Sequence, residues 1–254
     1  MKDTWKVWGD MPEYGENFYE RAIGEKDEME SSKSVAKIVQ RYLSEDDIIC
    51  DVGCGGGHYL RSLNNTVSNS FNYIGIDSTE EYIKVANKAL LESNFLKCNN
   101  AEFKVSDIYN LKQESNSVDI TMCNNLLLHL PSIEGAIKEL LRITKRTVII
   151  RTLIGQSSFR IKQIREPEVY DSYGEPLNFH YYNIYSKKYL QNILQNYNIE
   201  FEIFSDQDYI PENIGAKNYK NSEKPFDITT IIDGLQVNSY IISPWSYLVI
   251  NKLN

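Results

Sequence analysis

The chain has 254 residues, with 27 basic and 35 acidic side chains and a formal net charge of −8. Its length supplies a full hydrophobic core, and 42% hydrophobic with 24% charged residues is a globular balance that excludes disorder. No apolar run reaches the roughly 18–20 residues of a membrane-spanning helix, the first residues lack the apolar stretch of a signal peptide, and an acidic chain without basic clusters binds polyanions poorly, so the expectation is a cytoplasmic protein with neither membrane nor nucleic-acid partners.

The first 30 residues carry four basic and nine acidic side chains, with Trp5, Trp8, Tyr14, Phe18 and Tyr19 among them. That stretch is too aromatic for a disordered tail and reads as an ordered lead-in packed on the rest of the chain. Ser31 or Ser32 then caps a helix whose apolar face is Val35, Ile38, Val39, Tyr42 and Leu43. Apolar, β-branched runs predict strands at 48–52, 71–76, 103–105, 118–123 and 147–152, with helices at 58–63, 80–91 and 133–143. Ser78 and Glu81 stand at capping-box spacing before one of these helices, and Pro131-Ser132 starts another. Strands alternating with helices predict an α/β fold, a doubly wound parallel sheet covered on both faces.

After residue 152 the rhythm changes. A polar, tyrosine-rich stretch at 155–185 precedes a helix at 186–197 and a strand at 201–204. A second irregular stretch, 206–239, precedes a last strand at 247–250. Loops of this length in a compact domain are usually functional. Cys50, Cys54, Cys98 and Cys123 read as reduced, mostly buried thiols with no second ligand pair beside them, so no metal site is expected.

The strongest local signal is Asp51-Val52-Gly53-Cys54-Gly55-Gly56-Gly57, after a predicted strand and before a helix. Glycines serve where the backbone turns with positive φ or touches a ligand, and the helix after the loop offers free N–H groups. A dinucleotide fingerprint would need a third glycine at position 58, but that residue is His58. The spacing is G-x-G-x-G, with a carboxylate at Asp51 that would repel a pyrophosphate and attract an ammonium or sulfonium centre. S-adenosylmethionine carries both cations.

With these residues the chain resembles the class I S-adenosylmethionine-dependent methyltransferases, in their small-molecule branch, over roughly residues 30–155. The resemblance implies that Asp51, Gly53, Cys54, Gly55 and Gly57 wrap the methionine part of the cofactor. It implies that Asp77, with Ser78 beside it, accepts hydrogen bonds from the ribose hydroxyls. Asp107 would receive the adenine amino group, Ile108 would flank the ring, and Asn124, within the 118–131 segment, would face the transferred methyl group. It further implies a Rossmann-like sheet, mostly parallel with an antiparallel last strand, and S-adenosylhomocysteine as the spent product. On this view residues 1–254 are one domain: a lead-in (1–30), a cofactor half (31–153), and an acceptor-side half (154–254) with insertions at 155–185 and 206–239 after the fifth and sixth strands.

Methyl transfer is an in-line displacement that needs the nucleophile aligned at about 3–3.5 Å and water kept out. A hydroxyl acceptor also needs a base. His129, after the fourth strand, and His180, in the first insertion, are the candidates, and such a base would titrate near about 6.5. His58 reads as a polar neighbour of the cofactor. Eleven of the 18 tyrosines lie after residue 151, and Tyr181 and Tyr182 offer flat apolar bodies with polar tips for an acceptor. Arg151, near a strand's end, could hold an acceptor phosphate or carboxylate. The expected function is methyl transfer to O or N of a polar small molecule, such as a sugar or phosphorylated precursor of a surface glycan. The alternatives are a non-catalytic S-adenosylmethionine-binding regulator and a methyltransferase acting on a protein.

Overall fold

The computed structural model describes residues 12–207, 230–232, 235–238 and 241–253. Trp5 and Trp8 lie outside the described residues, as does most of the second insertion. The lead-in contains helix α1 (Pro12–Ile23) and is followed by α2 (Glu30–Gln40). Then come β1 (Asp47–Val52), α3 (Tyr59–Thr66), β2 (Phe71–Asp77), α4 (Glu80–Glu92), β3 (Cys98–Val105) and β4 (Val118–Asn124). A 3-10 turn (Leu127–His129) leads to α5 (Glu134–Ile143) and the long β5 (Thr144–Gly155). The acceptor side holds β6 (Lys162–Ile164), β7 (Phe179–Tyr181), β8 (Tyr185–Ser186), α6 (Lys187–Leu194), β9 (Ile199–Ser205), β10 (Thr230–Ile232), β11 (Leu235–Asn238) and β12 (Ile241–Lys252).

The main sheet runs β3-β2-β1-β4-β5-β12, and β9 pairs with the far edge of β12. β1 through β5 are parallel to one another, whereas β12 is antiparallel to both β5 and β9. This is the doubly wound sheet with an antiparallel last strand that the resemblance implied. The N-terminal part of β12 also pairs with β11, which pairs with β10.

Both faces of the sheet are covered because its strands carry apolar residues on both. Cys50, Val52, Ile76, Cys123, Val148 and Ile150 pack beneath α5 and α6. Ile49, Tyr73, Ile120, Met122, Ile149 and Val249 pack beneath α2, α3 and α4. Strand order reverses between β1 and β4: the chain leaves β1 toward β2 at one edge of the sheet and leaves β4 toward β5 on the other side. A crevice opens there, at the strands' C-terminal ends.

Several boundaries differ from the predicted ones, for physical reasons. Ser31 and Ser32 do not cap α2. They lie inside it, buried: Ser31 Oγ is 3.0 Å from Tyr59 Oη, and Ser32 Oγ donates to the Met29 carbonyl at 2.8 Å and is 2.7 Å from Ser62 Oγ, so both hydroxyls meet α3. Ser78 does not cap α4 either: Thr79 occupies the N-cap, and the Asp77 carboxylate accepts its N–H at 2.8 Å. β3 starts at Cys98, earlier than its apolar run, because an edge strand with one exposed face needs no apolar periodicity there. The first insertion is not structureless. It forms the β6–β7 hairpin and the short β8, which adds to the end of β5.

Candidate active site

The glycine loop is tied down by β2: the Gly53 and Cys54 N–H groups both donate to the Ile76 carbonyl, at 2.7 and 3.0 Å. Gly53, Gly55 and Gly57 have φ of +84°, +53° and +77°, a region that L side chains rarely adopt. A Cβ at Gly53 would stand 2.8 Å from Leu126 Cδ2, and one at Gly57 would stand 2.6 Å from Phe103 Cζ. At Gly55 a Cβ would first meet the Phe18 ring of α1, at 3.1 Å. The lead-in therefore roofs this loop, and the glycines are needed for packing as much as for a ligand. Cys54 is buried, and burial pushes its thiol well above the ordinary range, so it contributes backbone rather than chemistry.

A cleft runs along the ends of β1, β2 and β4 and the loop after β3. Its walls are Val52, Gly53, Ile76, Asp77, Ser78, Thr79, Ser106, Asp107, Ile108, Leu126, His129 and Leu130. No lysine or arginine is among them. The Asp77 oxygens accept from Gly55 N–H (3.0 Å) and Thr79 N–H (2.8 Å), which joins β2 to the loop and leaves each oxygen acceptor capacity for a ligand hydroxyl. Asp107 accepts from the Tyr109 N–H at 3.0 Å, and Ile108 is buried beside it. A groove with two carboxylates, apolar walls at Ile76, Ile108, Leu126 and Leu130, and no lysine or arginine repels a pyrophosphate. It suits a ligand that presents a diol, an amino group and a flat ring.

Asp51 is placed differently from its expected role. It does not line the cleft. It is 1% exposed and accepts a 2.7 Å hydrogen bond from Tyr73 Oη. Burial pushes its pKa up to about 7, Asp77 adds to the rise, and the Tyr73 bond opposes it. The carboxylates that do line the cleft are Asp77 and Asp107. Asn124 is also outside the cleft lining. Its amide oxygen and nitrogen are both buried without a hydrogen-bond partner, a condition worth about 1–3 kcal/mol to relieve. His58 packs as a neutral plate, stacked on Phe18 at 4.6 Å and 5°, and burial pushes its pKa down to about 3.

On the acceptor side the structure brings both catalytic candidates together. The 3-10 turn places His129 in the cleft wall, and β7 places His180 opposite it, with ring centroids 6.2 Å apart. Tyr182 meets His129 edge to face at 5.7 Å. The Tyr181 carbonyl lies 2.9 Å from His129 Nδ1. A carbonyl only accepts, so Nδ1 carries the proton and Nε2 is the basic nitrogen. Burial pushes the pKa of His129 down to about 4, and His180 contributes in the same direction. Asn183 and Tyr185 hold the insertion in place, donating to the Leu130 and Leu127 carbonyls, each at 2.9 Å.

Arg151 departs from the expected acceptor contact. It is 1% exposed; its Nε donates to Asp206 Oδ2 (2.7 Å) and its Nη1 to Asn125 Oδ1 (2.6 Å), and it lies 4.2 Å over the Trp245 ring. Its charge is committed inside the protein. Sequence reasoning missed Ser106, Thr79, Leu126 and Leu130 as cleft walls; their only signal is their position just past strand ends.

A sequence profile described as a methyltransferase domain matches residues 43–197, more than half of the chain. The chain belongs to that family. It carries a methyltransferase domain, on the Rossmann-like fold that S-adenosylmethionine-dependent methyltransferases of known structure share. An uncharacterised methyltransferase of Schizosaccharomyces pombe is 30% identical over 135 residues, 52% of this chain and 48% of that protein, so the match spans about half of the relative's length. An S-adenosylmethionine-dependent methyltransferase from Methanosarcina mazei is similar in structure, with a TM-score of 0.55 and 20% identity over 85% of this methyltransferase and 97% of its own chain. The [4+2]-cyclase SpnF reaches the same TM-score at 14% identity, over 87% of this chain and 80% of its own. At such identities likeness gives the fold, and the reaction must be argued from the site. The residues of the cleft are compatible with S-adenosylmethionine: Asp77 and Asp107 would offer carboxylate acceptors to its hydroxyl and amino groups, and Ile108 would offer an apolar wall to its ring. The cofactor brings an activated methyl group.

Proposed function

We propose that this methyltransferase acts on O or N of a polar small molecule, with the sugars and phosphorylated sugars of surface-glycan precursors as the first class to test. The observation that carries the reading is that His129 lines the acid-bearing groove and is itself in contact with His180, Tyr182 and the Tyr181 carbonyl. A hydroxyl or amine grows much more acidic as it is alkylated. A neutral imidazole with a lowered pKa is therefore competent to accept its proton at Nε2, although it would not deprotonate an alcohol beforehand. The half-buried Tyr181 and Tyr182 supply flat faces and hydroxyls, which suit a polyhydroxylated acceptor.

A protein acceptor is the second reading, favoured by one observation. Phe159, Ile164, Val169, Tyr170, Tyr173 and Leu177, all in the first insertion, are exposed. Labelled S-adenosylmethionine offered together with sugars, sugar phosphates and a protein extract separates the two. The proposal expects label in the small molecules. Label confined to protein would favour the second reading, and cofactor binding without any transfer would mark a non-catalytic binder.

A further inference from the structure

Arg151 and Asp206 form an ion pair with both side chains at most 2% exposed, far more deeply buried than the other ion pairs among the described residues. Taking two charges out of water is costly, and a pair so placed is better read for what it positions than for net stability. What it reaches is the wall of the cofactor groove. Asn125 comes directly after β4 and has φ of +57°, a left-handed turn that asparagine enters more readily than other residues with a side chain. Arg151 holds it twice: its carbonyl accepts the Asn125 N–H at 2.9 Å, and its Nη1 donates to Asn125 Oδ1 at 2.6 Å. The remaining amide group of Asn125 donates to Tyr59 Oη at 3.3 Å, at the start of the helix that leaves the glycine loop. The next residue, Leu126, lies against Gly53 so closely that no Cβ would fit between them. Asp206, at the end of β9, accepts in addition from Ser34 Oγ of α2 at 2.9 Å.

We propose that Asn125, locked by the Arg151–Asp206 pair, is a positioning residue for the cofactor site. It fixes the left-handed turn that seats Leu126 on Gly53 and steadies Tyr59 beside the glycine loop. Through Asp206 the acceptor half of the chain is tied to that turn, so the two halves of the site keep one geometry. The inference rests on the cofactor reading above.

The test uses calorimetric titration with S-adenosylhomocysteine on the full chain, with far-UV circular dichroism melting on the same samples. Asn125→Gly keeps the positive φ and removes the side-chain link; Asn125→Asp keeps an oxygen for Arg151 and can accept from Tyr59. Affinity should fall by about tenfold in Asn125→Gly and by less than about twofold in Asn125→Asp. Both variants should melt within a few degrees of wild type, which separates a loss of positioning from a loss of fold. Wild-type affinity in Asn125→Gly, or an equal loss in Asn125→Asp, would overturn the proposal. Failure of the wild-type chain to bind at all would instead overturn the cofactor reading on which it stands.

Discussion

His129 shows how one residue's surroundings decide its chemistry. In sequence it is a histidine after an apolar run, with an ordinary pKa near 6.5. In the structure a backbone carbonyl fixes its tautomer, and burial pushes its pKa down to about 4. The acidic limb expected near pH 6.5 is therefore displaced. The active form is neutral, so activity should be nearly level from pH 8 down to about pH 6 and should fall only as pH drops toward about 4. Measuring kcat/KM against pH checks this, provided unfolding at low pH is scored separately; a break near 6.5 would contradict it. His129→Ala should lower kcat/KM by on the order of 100-fold. At this scale the positions of Asp77 and Asp107 at the cleft follow from strand–loop spacing, whereas the burial of Asp51 under Tyr73 does not. Nor does the pairing of Arg151, because its partner Asp206 stands 55 positions away and only the folded sheet joins them.

At the scale of elements, the glycine loop carries the most constraint per residue. It sits between α1, β2 and the Phe103 ring, and the Ile76 carbonyl holds two of its N–H groups. Gly57→Ala would need both a positive φ for alanine and movement of Phe103, and should destabilise the fold by about 2–3 kcal/mol. Urea unfolding measures it; an unchanged midpoint would show that the loop packs less tightly than described. The order of strands and helices was readable from alternating apolar runs. Their ends were less so: packing on α3 draws Ser31 and Ser32 inside α2, as the Ser32–Ser62 contact shows, and a local bond from the Thr79 N–H to Asp77 moves the start of α4 past Ser78. The hairpin inside 155–185 was hidden for a related reason. Its strands are only three residues each, too short for a period to register.

For the whole molecule, the sheet reversal between β1 and β4 sets up a crevice, and the residues at its rim decide its ligand. The net charge of −8 agrees with a cleft that has no basic wall. Among the described residues no helix is long and apolar enough to cross a membrane, and no group of three or more histidines, cysteines, aspartates or glutamates is placed to hold a metal. On the reading proposed above, the strand-end cleft binds S-adenosylmethionine through Asp77 and Asp107. Isothermal titration of wild type and Asp77→Ala with S-adenosylhomocysteine tests it most directly. Saturable one-site binding to wild type is expected, with affinity at least about tenfold weaker in Asp77→Ala, because hydrogen bonds to a carboxylate are lost. No binding to wild type, or the same affinity in both, would contradict it.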